Sequence, residues 1–146
     1  MISDLSAART MCAERGWDIS NLELQKLLYV AQMVSVGRSE GRRPLIGGVF
    51  QAWEYGPVLP NVYHRAKVFG DKAVRDVFTI ADFADGEDLR IIKEVSEELL
   101  DYSPSELVSL THWDGGAWAK NYVEGVKGIV IPRRDILQEY RDRTSD

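Results

Sequence analysis

The sequence predicts a mainly α-helical fold of about six helices with a small two- to three-stranded antiparallel β element, packed as one compact domain over residues 1–146. Three observations carry that expectation. Apolar residues recur at helical spacing along most of the chain. Two Ser-x-x-Glu boxes, Ser20 to Glu23 and Ser103 to Glu106, mark helix starts. β-Rich runs occur at Val49-Phe50-Gln51-Ala52-Trp53 and Ile129-Val130-Ile131. At this size folding buries roughly 68–70% of the surface that the unfolded chain exposes, so a core forms without crosslinks.

Leu5, Ala8, Met11 and Cys12 mark a first short amphipathic helix that stops near Gly16. Ser20, with Glu23 at the third helical position, caps a helix from 21 to about 36. Leu24, Leu27, Leu28, Ala31 and Val34 keep helical spacing there, while Leu22, Val30 and Met33 widen the apolar arc. An arc that wide predicts a central core helix, ended by Gly37. Residues 45 to 55 change period toward a short strand, with Gly47-Gly48 suited to a tight turn or bulge. Pro60 suits the first turn of a helix carrying Val62, Tyr63, Ala66 and Phe69, closed by Gly70. The stretch from 71 to 84 is the least regular. From Asp85 a helix runs through Leu89, Ile92, Val95 and Leu99, and Ser103-Pro104-Ser105-Glu106 opens the next, over 104 to 112. The 129–131 run follows Gly128 and is expected to pair with the earlier strand, since two short strands gain their hydrogen bonds most easily from each other. Pro132 starts the final helix.

Composition narrows the function classes. Lys and Arg number 18 against 23 Asp and Glu, a net charge of −5. That balance disfavours attraction to a phosphate backbone, so nucleic acid is an unexpected ligand and a basic partner or plain solubility is favoured. Arg38, Arg42 and Arg43 form one short basic cluster, interrupted by Glu40, that reads as a solvated loop. Cys12 is the one cysteine, which excludes an internal disulfide and a thiolate cluster. Met1-Ile2-Ser3-Asp4 has no basic n-region, and no apolar run nears the roughly 18 residues that span a bilayer. A cytoplasmic protein, neither exported nor membrane-embedded, is the expectation.

Three blocks stand out in order along the chain: Asn21-Leu22-Glu23-Leu24-Gln25-Lys26-Leu27-Leu28-Tyr29, Phe50-Gln51-Ala52-Trp53-Glu54-Tyr55-Gly56-Pro57-Val58, and Thr111-His112-Trp113-Asp114-Gly115-Gly116-Ala117-Trp118. In the second, two aromatic residues precede a Gly-Pro pair whose backbone preferences force a sharp change of direction. Together the blocks resemble the Panacea domain, the fold family of SocA-like antitoxins and many phage-encoded proteins. That family usually has a proline before the last tryptophan, where this chain has Gly116-Ala117-Trp118, which leaves the turn there open to a different form. The resemblance implies an antitoxin that occludes a cognate toxin by direct contact. In the SocA branch it also implies a proteolytic adaptor that delivers the toxin to a Clp-type unfoldase and protease. Because the family pairs with toxins of unrelated folds, the partner's identity is not implied.

The candidate partner-binding residues are Trp53, Glu54, Tyr55, Gly56, Pro57, Tyr63, His112 and Trp113. Aromatics held rigid beside a turn lose little entropy on association and anchor interfaces, although each of these rings could instead be core. On a strand, Trp53 and Tyr55 alternate with Ala52 and Glu54 and point to one side. Catalytic residues, bound metal and cofactors are not expected: histidines number two, and no Gly-x-Ser-x-Gly elbow or phosphate-binding glycine motif occurs. One alternative is a metal-dependent hydrolase using Glu54, His64, His112 and Asp114, against which His112 reads as a residue satisfying backbone groups at a helix end. Another is a DNA-binding regulator, for which the helices after Ser20 and Ser103 lack the basic charge.

Overall fold

The computed structural model describes residues 1–145. Helices α1 (Asp4–Glu14) and α2 (Asn21–Arg38) are followed by a hairpin of β1 (Gln51–Trp53) and β2 (Gly56–Val58). Then come α3 (Pro60–Ala66), running into a 3₁₀ turn at Lys67–Phe69, α4 (Gly86–Glu98), α5 (Pro104–Thr111), α6 (Ala117–Asn121) and α7 (Arg133–Thr144). The mainly helical class stands, and the short α6 is added to the six helices expected.

Helix α2 is the axis of the molecule, packed by α1, α3, α4, α5, α7 and β2. Leu24, Leu27, Leu28, Tyr29, Ala31 and Val36 are each fully buried, so the helix is covered all round. Its start is the capping box anticipated from sequence: Ser20 Oγ accepts from the Glu23 amide, and the Glu23 carboxylate accepts from the Ser20 amide. The expected stop at Gly37 is corrected. Gly37 lies inside the helix against the ring of Tyr140, where a β-carbon would overlap that ring, so the glycine serves helix packing. Helix α2 ends one residue later, at Arg38, and the chain turns away through Glu40 and Gly41 at φ 55° and 85°.

Helix α1 anchors the irregular 71–84 stretch. Ser6 donates to the Asp82 carbonyl, Arg9 binds Asp76 and the Ala81 carbonyl, and Thr10 accepts from the Ala84 amide. Val74 and Phe78 from this stretch are buried in the core. Cys12 is buried too, and burial pushes its thiol up to about 12, which makes it a packing residue and not a nucleophile.

The β element is more compact than expected. The reversal falls at Glu54-Tyr55, and Gly56-Pro57-Val58 is itself the second strand, with Trp53 opposite Gly56 and Gln51 opposite Val58. Neither turn residue takes a positive φ; Gly56, at 118°, absorbs the change of direction. The 129–131 run adds a single antiparallel bridge, Val130 to Gln51, with backbone bonds from Ala52 to Ile129 and from Ile131 to Phe50. It is a third partner to the sheet without forming a full strand.

Candidate functional site

The second sequence block folds against the first through one buried cation. Lys26 sits on α2 with no solvent exposure, and its Nζ donates to the Pro57 carbonyl at 3.2 Å. Pro57 lies in β2 beside α2, a position where a missing N–H costs nothing. Gln25 on the same helix turn accepts from the Leu59 amide at 2.8 Å, so two adjacent polar residues of α2 hold the hairpin's exit. Burial pushes the Lys26 ammonium down to about 7, with no carboxylate among the described residues offsetting it.

His112 approaches the same point from the end of α5. Its backbone amide closes the helix on Val108, while its ring stacks on Trp118 with centroids 3.8 Å apart. Trp118 continues the stack onto Tyr122 and donates its indole N–H to the Trp53 carbonyl at 2.7 Å. Nε2 of His112 is buried without a hydrogen-bond partner. The imidazole is held below its ordinary range, first by burial, with the Tyr55 carbonyl opposing and the Lys26 charge adding to the depression. The expectation that this histidine satisfies backbone groups at the helix end is therefore corrected: the ring is a stacking partner beneath the hairpin.

Beside these groups opens a cavity of about 780 Å³, of a size that takes several side chains. Trp53 and Tyr55 wall it from the hairpin, Tyr63 from α3, and Tyr122 from the segment after α6. Trp53 meets Tyr63 edge-on at 4.8 Å and is fixed by its own Nε1 donating to Gln51. Tyr55, at the turn, is 64% exposed.

A second polar node locks the third block. Glu139 of α7, fully buried, accepts from the Tyr29 hydroxyl at 2.7 Å, the Ala117 amide at 2.9 Å and Arg143 Nε at 2.8 Å. Gly116 leaves room for it, since a β-carbon there would lie 3.0 Å from the carboxylate. Arg143 also covers the Trp113 ring at 4.5 Å.

Of the residues singled out from sequence, Trp53, Glu54, Tyr55 and Tyr63 gather around the cavity, Gly56 and Pro57 are buried in β2 against Lys26 and do not line it, and His112 backs the hairpin. Trp113 does not join them, because Arg143 holds it against α7. The hydrolase set is not assembled: His64 lines a separate open depression of about 720 Å³ with Asp4 and Asn61. Among the described residues no three of His, Cys, Asp and Glu form a group able to hold a metal. The basic cluster is spent on pairing, Arg38 with Glu94, Arg42 with Glu40 and Arg43 with Asp88. No helix is long and apolar enough to cross a membrane. Lys26 and Glu139 were missed as site residues, yet a lysine inside the run Leu24 to Tyr29, which packing buries all round, is a signal that such a charge has a purpose.

The three blocks and their packing around α2 place the chain in a defined class: it belongs to the antitoxin SocA-like, Panacea domain family, matched over residues 24–119. Among curated proteins it is similar to Antitoxin SocA of Caulobacter vibrioides (strain NA1000 / CB15N), with 37% identity over 114 residues covering 68% of this chain and 58% of that protein. The chain thus spans somewhat over half the length of the curated relative it matches. No solved structure matches it significantly.

Proposed function

We propose that this protein is an antitoxin that neutralises a cognate protein toxin by direct binding, with Trp53, Glu54, Tyr55 and Tyr63 as its contact surface. The observation that carries the reading is Tyr55, a large aromatic 64% exposed at the tip of a hairpin that Lys26 and Gln25 pin from below, beside a cavity with aromatic walls. Rigid aromatic anchors next to a pocket are the usual centre of a binding hot spot. Leu22 and Val126, also exposed, extend the apolar rim. Stoichiometric binding needs a complementary surface and no reactive constellation, which accords with a family of antitoxins.

Tyr55→Ala tests this. The variant should melt near wild type and yet fail to rescue cells expressing the toxin gene beside this one, and fail to co-purify with its product. Full rescue by Tyr55→Ala would move the contact surface elsewhere, and wild-type protein that never rescues would end the antitoxin reading. Delivery of the toxin to a Clp-type unfoldase and protease is the finer proposal. It is scored by the toxin's half-life, which should lengthen in cells lacking the unfoldase while binding is unchanged.

A further inference from the structure

Lys26 is a buried cation whose binding capacity is unfilled. None of the seven ion pairs among the described residues includes it, and Pro57 O is its single acceptor, so two of its three N–H groups have no partner. Buried charges are ordinarily paired, and a methionine or leucine would fill the same volume at lower cost. His112 Nε2, a buried ring nitrogen without a hydrogen-bond partner, approaches the same Gly56 position.

The neighbouring cavity supplies what these groups lack. Lys26 forms part of its wall, and three tyrosines, Tyr55, Tyr63 and Tyr122, line it, each carrying a hydroxyl able to donate. The other charged lining residues cancel, Glu54 and Glu124 against Lys67 and Lys127, which leaves Lys26 as the positive excess. We infer that this cavity is a carboxylate-recognition pocket, in which an acidic group of the protein partner seats against the Lys26 ammonium and the tyrosine hydroxyls. A carboxylate accepts several hydrogen bonds at once and is the anionic group that proteins carry without modification. Because Lys26 has no solvent exposure, seating the carboxylate requires a shift of the exposed wall segment Glu124 to Lys127, which contains Gly125 and precedes Gly128, both at positive φ. This inference rests on the reading that the partner is a protein binding at the hairpin, and it names the chemistry of that contact.

The test follows the ¹³Cε resonance of Lys26, identified by its loss in Lys26→Met. The probes are an N-acetylated penta-alanine with a free C-terminus, the same peptide amidated, and the amidated peptide with a central glutamate. At pH 7 one or both acidic peptides should move the signal saturably toward its ammonium position, and the neutral peptide should not. Response to the free C-terminus alone identifies a chain end as the seated group; response to the glutamate peptide identifies a side chain. Lys26→Met and Lys26→Gln should weaken binding by roughly tenfold or more while melting no lower than wild type. A signal that neither acidic peptide moves, an equal response to the neutral peptide, or undiminished binding by a folded Lys26 variant would overturn the inference. If Tyr55→Ala abolishes rescue while the peptides leave Lys26 untouched, the hairpin remains the interface and only the carboxylate pocket falls.

Discussion

Lys26 and Gly56 occupy one space between them: a β-carbon on the glycine would lie 2.9 Å from the lysine's Nζ and 3.3 Å from His112 Nε2. The hairpin packs this closely on α2 because residue 56 has no side chain, and its φ of 118° is open only to glycine without strain.

Gly56→Ala should therefore destabilise the fold by about 1–3 kcal/mol, from the strained backbone angle together with displacement of Lys26. Urea denaturation checks it; an unchanged midpoint would show that the hairpin is free to lift from the helix.

Lys26 predicts an unusual pH dependence. Its folded pKa of about 7 lies below the 10.5 of an ordinary lysine, so between these the unfolded chain binds more protons and stability rises with pH. The gain begins near pH 7 and continues until Tyr29 intervenes. Burial, then the Glu139 charge, holds that phenol well above 10, so above pH 10 the unfolded state loses its proton first and stability falls. Lys26→Met should be the more stable protein at pH 7 and should show a flatter profile from pH 7 to 9.5, read from melting temperatures across that range.

Glu139→Ala removes the shared acceptor of Tyr29, Ala117 and Arg143. Leaving two buried donors without an acceptor and a half-buried guanidinium without its carboxylate should cost about 2–5 kcal/mol, whereas Tyr29→Phe should cost about 0.5–1.5 kcal/mol, the net value of one hydrogen bond. Equal losses in the two variants would mean that the node acts through packing alone.

Leu27→Ala and Leu28→Ala should each lose about 2–5 kcal/mol through lost burial and the cavity left behind. Both side chains are fully buried in α2, and a variant that keeps its melting temperature would contradict that placement.

The helices were legible because their signals are local. Ser20 and Ser103 announce their capping boxes within four residues, and Pro60 and Pro104 stand at the first helical position. Gly37 was misread because a glycine that stops a helix and one that admits Tyr140 look alike until α7 is in place. The site was half legible for the same reason. Trp53, Tyr55 and Tyr63 stand out as aromatics near a turn, but the partners that give them meaning, Lys26 and His112, lie 27 or more residues from Trp53 and are selected only by packing. Trp113 carried the same local signal and went to the opposite task, because Arg143 lies over it.

The bond between Tyr29 and Glu139 joins positions 110 residues apart. At a synthesis rate of roughly 5–20 residues per second, about 5–20 s of translation separates them. Within that interval α2 is completed and the hairpin is made, yet the Tyr29 hydroxyl and, later, the Ala117 amide still await their acceptor. The polar node that ties α2 to the start of α6 is thus the last part of the fold to close, because its shared acceptor, Glu139, is among the last residues to be made.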